Sequence, residues 1–140
     1  MNILLIEDIE SWTNRMKRIL PEYNILTAKN STEAFRLIAN HDINLILLDI
    51  ILKNSELDGD EILERISKTK PSIPVAIMSC LNQTSIIEKC YRHGAKWNLP
   101  KDLSKNEIKS GIKSILEFSN NIDKESPEHL KYKLNGGIAI

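Results

Sequence analysis

The segment Ile43-Asn44-Leu45-Ile46-Leu47-Leu48-Asp49-Ile50-Ile51 constrains the fold more than any other. Five of the six residues before Asp49 are apolar, and so are Ile50, Ile51 and Leu52 after it. A short continuous apolar run reads as a strand buried on both faces, as strands are in a parallel sheet. A carboxylate at the end of such a strand is costly unless neighbouring groups use its charge. Asp49 therefore marks both a sheet and a place where chemistry is expected.

The rest of the chain alternates strands with helices. Asn2 to Ile6 is an apolar run ending at Glu7-Asp8. Ile9, Trp12, Met16, Ile19 and Leu20 recur at three- and four-residue spacing, an amphipathic helix stopped near Pro21. Ile25 to Ala28 is a second strand. Asn30 with Glu33 resembles a capping box opening a helix through Ala34, Phe35, Leu37 and Ile38. Leu45 to Leu48 forms strand three, and the turn-rich segment from Lys53 to Gly59 is a loop. Ile62, Leu63 and Ile66 define a third helix, and Val75 to Met78 a fourth strand ending at Ser79-Cys80. A fourth helix runs from Thr84 to His93, with Gly94 as its left-handed cap. Ala95 to Leu99 is the fifth strand, followed by Pro100-Lys101. Ser104 with Glu107 opens a fifth helix through Ile108, Ile112, Ile115, Leu116 and Phe118.

Five strand-helix units predict an α/β fold: a five-stranded parallel sheet doubly wound with five helices. Residues 1–118 form this domain. From Ser119 the composition turns polar, and 119–140 reads as a tail or linker in which Ser126-Pro127-Glu128 caps a short helix through Leu130 and Leu134.

Nineteen basic residues balance nineteen acidic ones, so no global field draws the chain to nucleic acid or an anionic membrane. Cys80 and Cys90 are too few for a disulfide scaffold and suit a reducing cytoplasm. The first apolar run is cut short by Glu7-Asp8, and no stretch approaches the roughly 20 apolar residues of a membrane span.

In an open doubly wound sheet, ligands bind beyond the carboxyl ends of the strands, where strand order reverses. Glu7 and Asp8 follow strand one, Asp49 ends strand three, Ser79 ends strand four and Lys101 follows strand five. A 2-1-3-4-5 order makes strands one and three neighbours and gathers the three carboxylates. Two carboxylates about 4 Å apart repel by roughly 4 kcal/mol at an effective dielectric near 20. A divalent cation removes that repulsion, and hard oxygen donors with room for water and phosphate oxygens suit Mg²⁺. A carboxylate is also a nucleophile toward a phosphoryl group. Asp49, central in the set, is the candidate nucleophile. Lys101 is placed to neutralise one phosphoryl oxygen and the Ser79 hydroxyl to donate to another.

With these residues set out, Ile3-Leu4-Leu5-Ile6-Glu7-Asp8, Leu45-Ile46-Leu47-Leu48-Asp49, Val75-Ala76-Ile77-Met78-Ser79 and Gly94-Ala95…Leu99-Pro100-Lys101 resemble the receiver domain of bacterial response regulators. The resemblance covers residues 1–118. It implies a phosphorylation-switched signalling module of a two-component or phosphorelay system, not a turnover enzyme. Asp49 would be phosphorylated by a sensor histidine kinase or a histidine phosphotransfer protein. Mg²⁺ would be bound by Asp8 and Asp49, by Glu7 through water, and by the Ile51 backbone carbonyl. Phosphorylation would change a partner surface around helix four, strand five and helix five. The output is either a downstream protein partner or an output domain outside this chain, with no direct nucleic-acid or membrane contact by the domain.

The chain departs from the family's usual pattern in four places. Lys53 stands where Pro is usual, and Asp58-Gly59 come two residues late. Asn98 replaces an aromatic residue, with Trp97 beside it. Asp102 stands where a cis-Pro is common after the lysine. Ile51 and Leu81 occupy the variable flanking positions; both are bulky and apolar, which predicts slow autodephosphorylation. Asn98 and the longer loop also raise an alternative, a constitutive interaction domain that is not phosphorylated. A Mg²⁺ phosphatase or nucleic-acid enzyme is disfavoured, since the second carboxylate such enzymes need two residues on is here Ile51.

Other features read structurally. Lys105, Lys109 and Lys113 form a solvated stripe on helix five, with an acidic partner surface as the functional alternative. His41, His93 and His129 show no ligand spacing and are expected at the surface. Cys80 is expected to serve packing, Trp12 to lie in the core, and Trp97 to be partly exposed and available to a partner.

Overall fold

The computed structural model describes residues 1–80 and 83–120, and among them each of the five expected strands and five expected helices forms. The elements are β1 (Asn2–Ile6), α1 (Glu10–Ile19), β2 (Asn24–Ala28), α2 (Ser31–Asn40), β3 (Leu45–Asp49), α3 (Gly59–Thr69), β4 (Val75–Ser79), α4 (Thr84–Arg92), β5 (Trp97–Pro100) and α5 (Lys105–Asn120). All strand pairs are parallel and the order is β2-β1-β3-β4-β5, as expected. Leu81, His129 and the expected short helix through Leu130 and Leu134 lie outside the described residues.

Alternation along each strand divides the core into two layers. Leu4, Ile6, Ile46, Leu48, Val75 and Ile77 face α2, α3 and α4, packing with Ala34, Ile38, Ile62, Leu63, Ile66, Ile87 and Cys90. Ile3, Leu5, Leu45, Leu47, Ala76 and Met78 face the other way, against Met16, Ile19 and Leu20 of the α1 segment and Ile108, Ile112, Ile115 and Leu116 of α5. Each layer matches a helix stripe legible in the sequence. All five residues of β3 are buried, which explains its unbroken apolar composition.

Helix starts follow local chemistry. The Asn30 side chain accepts the Glu33 N–H at 2.9 Å, while the Glu33 carboxylate takes the Lys29 N–H at 2.8 Å. The return bond thus reaches one residue further back than in a strict capping box. Ser104 and Glu107 make both reciprocal bonds, at 3.2 and 3.0 Å. Gly94 has φ +107°, and a Cβ there would lie 2.5 Å from Ser67 Oγ, so glycine satisfies both the left-handed turn and the close packing of α3.

The expectations for Trp97 and Cys80 fail, and several element boundaries move by one or two residues. Trp97 is only 2% exposed: it lies in one layer with Leu99 and meets Phe118 edge-to-face, with centroids 5.8 Å apart. Being two residues before Leu99 on the same strand, it shares that residue's face. Cys80 is exposed rather than packed, since it follows the last residue of β4; the buried thiol is Cys90. Strand β5 starts at Trp97 rather than Ala95, because the Ala95 N–H returns to the Cys90 carbonyl at 3.0 Å. Trp12 is half-buried against the α1/α5 layer, at the edge of the core.

Candidate functional site at the strand ends

Register brings the chemistry together. Ile6 pairs with Leu48, Asp49 with Met78, and Ser79 with Pro100, so the residues at and just beyond these ends share one edge of the sheet. The Lys101 N–H donates to the Ser79 carbonyl at 2.7 Å, and the Glu7 N–H to the Ala28 carbonyl at 2.9 Å. Backbone pairing thus holds both residues just past the strands that precede them.

Glu7, Asp49 and Ser79 are buried, at 2%, 5% and 2% exposure. One oxygen each from Glu7, Asp8 and Asp49 lies within 4.8 Å of the others. Lys101 Nζ is 3.2 and 3.3 Å from the two Glu7 oxygens and 3.5 Å from Asp49 Oδ2. One ammonium cannot balance three carboxylates. Burial, a hydrogen bond to Asp49 and the Asp49 charge push Glu7 up to about 8, outweighing the opposite pull of Lys101. Near neutrality, without a metal, Glu7 therefore keeps its proton and Lys101 faces a largely neutral carboxyl. Three hard oxygen donors, one of them protonated for want of positive charge, fit a divalent cation such as Mg²⁺.

Backbone amides orient the acids. The Ile51 N–H donates to Asp49 Oδ1 at 3.1 Å, and the Lys53 N–H to Asp8 Oδ2 at 2.8 Å. The second bond gives the Lys53 departure a physical meaning, because a proline there would have no N–H to donate. Asp58-Gly59 also acquires a role. A Cβ on Gly59 would lie 2.6 Å from Ile50 Cα and 2.8 Å from the carbonyl oxygens of Asp49 and Ile50. The start of α3 therefore rests directly on the backbone that carries Asp49.

On the other side of the acids, the Ser79 hydroxyl donates to Asn98 Oδ1 at 2.7 Å, and Asn98 is itself buried. Lys101 Nζ lies 5.1 Å from the centroid of the Trp12 ring, whose Nε1–H points to Met78 Sδ at 3.3 Å. Neither the Trp12 contact nor the Ser79–Asn98 pair was anticipated from sequence. Trp12 on the inner stripe of its helix was the available signal, since α1 packs beside β1. Of the expected residues, Glu7, Asp8, Asp49 and Lys101 meet here, and Ser79 ends the adjacent strand with its hydroxyl on Asn98; of Ile51, the amide holds Asp49 while the side chain is 41% exposed. No peptide bond among the described residues is cis, that after Lys101 included.

The comparisons with known proteins agree with this arrangement. The family model for the response regulator receiver domain matches residues 3–113. The whole chain aligns at 30% identity with a putative NtrX-like response regulator of Rickettsia typhi, covering 31% of that protein. The nitrogen assimilation regulatory protein NtrX of Azorhizobium caulinodans is 36% identical over 80 residues, 56% of this chain and 18% of the relative. The chain thus spans less than a third of the length of these curated relatives. Among solved structures, the receiver domain of NtrX from Brucella abortus matches with TM-score 0.78 and 26% identity, over 82% of this chain and 98% of that one. A CheY-like receiver domain protein from Methanospirillum hungatei, 24% identical over 86% of this chain and 97% of its own, has the same fold at TM-score 0.78. A family match across residues 3–113, on a sheet of this order with acids at these strand ends, means that the chain belongs to the response regulator receiver domain family.

Proposed function

We propose that Asp49 accepts a phosphoryl group from a histidine kinase or histidine phosphotransfer protein, and that the phosphorylated domain signals through altered protein contacts. The convergence of Glu7, Asp8 and Asp49 with Lys101 and Ser79 at one sheet edge carries this reading. An Asp49 oxygen attacks the donor's phosphorus; the phosphorus–nitrogen bond of the phosphohistidine breaks and its electron pair leaves with the imidazole. Asp49 is held for that attack by the Ile51 amide, and Lys101, 3.5 Å away, is within reach of a phosphoryl oxygen. The Ser79 hydroxyl donates to a second oxygen. Mg²⁺, which Asp8, Asp49 and the Ile51 carbonyl would hold directly and Glu7 through water, would supply neutralising charge to the phosphoryl oxygens.

Phosphorylation replaces the single charge of the Asp49 carboxylate with a phosphoryl group of about −1.5 to −2, a net gain of at most about one negative charge at a buried edge. Moving a two-state surface from 1:99 to 99:1 takes about 5.5 kcal/mol, whereas one charge-assisted hydrogen bond contributes about 1.5–3. Ser79 and Lys101 must therefore act together on the surface of α4, β5 and α5. The receiver, expected over residues 1–118, extends to the end of α5 at Asn120, and 121–140 act as a tail or linker, with a downstream protein or an output domain as the target and the cytoplasm as the compartment. The exposed Ile51 side chain beside Asp49 favours slow loss of the phosphate by hindering water.

Incubation with Mg²⁺ and acetyl phosphate should give an adduct of about 80 Da, the mass of one phosphoryl group, which Asp49→Asn abolishes. An adduct that survives Asp49→Asn rules out Asp49 as acceptor. No adduct, together with no Mg²⁺ binding, would instead support a constitutive interaction domain. The Ser79 hydroxyl held by Asn98 is the observation that favours that second reading.

A further inference from the structure

The Ser79–Asn98 pair bears directly on how the site switches. Ser79 and Asn98 are each 2% exposed, on adjacent strands β4 and β5, and the hydroxyl-to-carbonyl distance is 2.7 Å. A serine hydroxyl has one proton and donates one hydrogen bond at a time. Donation to Asn98 Oδ1 and donation to a phosphoryl oxygen on Asp49 therefore exclude each other. A phenylalanine at position 98 would offer no acceptor.

We propose that Asn98 is a positioning residue that holds the Ser79 hydroxyl in the unphosphorylated state, so that a phosphoryl group on Asp49 must compete with Asn98 for the Ser79 proton. The inference rests on the reading of Asp49 as the phosphoacceptor. Its consequence is a raised threshold. The resting state keeps a buried hydrogen bond between Ser79 and Asn98 that the switched state gives up. The pair thus opposes the very step through which Lys101 and Ser79 would read the phosphate, and Asn98 sets how much phosphoryl contact is needed before the β4–β5 edge rearranges. The Lys101 N–H bonded to the Ser79 carbonyl at 2.7 Å links both phosphate-sensing residues to that edge.

The test is a double-substitution cycle on the full chain, with Mg²⁺ and beryllofluoride as the phosphoryl mimic. Asn98→Leu removes the competing acceptor while keeping the branching of the side chain and should tighten beryllofluoride binding about five- to tenfold, the equivalent of one net neutral hydrogen bond. In a Ser79→Ala background the same change should alter affinity by less than about twofold, because the coupled partner is gone. A shift of equal size in both backgrounds, or none in the Ser79 background, overturns the proposal, since a merely structural Asn98 would act regardless of the hydroxyl. Asn98→Ala repeats the cycle without the risk of overpacking. Free of any substitution, the side-chain amide resonances of Asn98 should move when beryllofluoride binds the wild type; resonances that stay in place also overturn it. Failure of the wild type to bind beryllofluoride at all defeats the phosphoacceptor reading itself, and the latch with it.

Discussion

Lys101 carries three relationships at once: to Glu7 at 3.2 Å, to Asp49 at 3.5 Å, and to the face of Trp12 at 5.1 Å. A cation over an indole is held by the ring quadrupole, typically by about 0.5–2 kcal/mol depending on desolvation. A phosphoryl group on Asp49 should draw the ammonium off that ring. Beryllofluoride with Mg²⁺ is therefore expected to change the tryptophan emission, and Trp12→Phe to remove the change while leaving the emission of buried Trp97. Full retention of the signal in Trp12→Phe would mean that Lys101 does not move relative to the ring. At this scale the chemistry-bearing residues were legible, because each follows an apolar run and strand ends converge in a doubly wound sheet. Their partners were not. The bonds from Ser79 to Asn98 and from Lys53 to Asp8 join residues 19 and 45 positions apart, and no local pattern encodes such pairs. Trp97 was misjudged although its spacing from Leu99 carried the answer.

At the scale of elements, helix stripes and strand runs gave the architecture because both core layers are built from them. The loop between β3 and α3 was legible only as turn-rich, since its length sets where α3 begins but not what α3 touches. That contact decides the role of Gly59. A side chain there meets the Asp49–Ile50 backbone at 2.6–2.8 Å, a clash with main chain that cannot be relieved by a rotamer change. Gly59→Ala should therefore destabilise the domain by about 1–3 kcal/mol, the usual range for overpacking. Denaturant titration would read this as a lower midpoint. Because the displaced atoms carry Asp49, acetyl phosphate labelling should slow as well. An unchanged midpoint would show that α3 shifts freely and that the contact does not position Asp49.

For the molecule as a whole, the acidic edge predicts that pH and Mg²⁺ act on stability in opposite senses. Glu7 holds its proton up to about 8 in the folded protein, whereas its ordinary value is 4.5. Between those values the folded state binds one more proton than the unfolded state, so stability falls as pH rises. The contribution is fully present below about 4.5 and is lost as pH climbs through 8. Asp60, held low by Lys89, and Glu64, held low by Lys68, act in the other direction only at acid pH. Cys90, pushed up to about 11 by burial, acts only in base. Across pH 5–8 in chelator, the melting temperature should therefore decline, and Glu7→Gln, which cannot lose a proton, should flatten the decline. Mg²⁺ bound as proposed would reverse the logic. A charged Glu7 holds the ion's water better than a protonated one, so binding would compete with the Glu7 proton and tighten with pH. Ligand stabilisation grows as RT ln(1 + [L]/Kd), so at one Mg²⁺ concentration the rise in melting temperature should be larger at pH 8 than at pH 6. A Mg²⁺ effect independent of pH, with a chelator slope unchanged by Glu7→Gln, would place the metal away from Glu7 and leave the buried acid without the role argued for it.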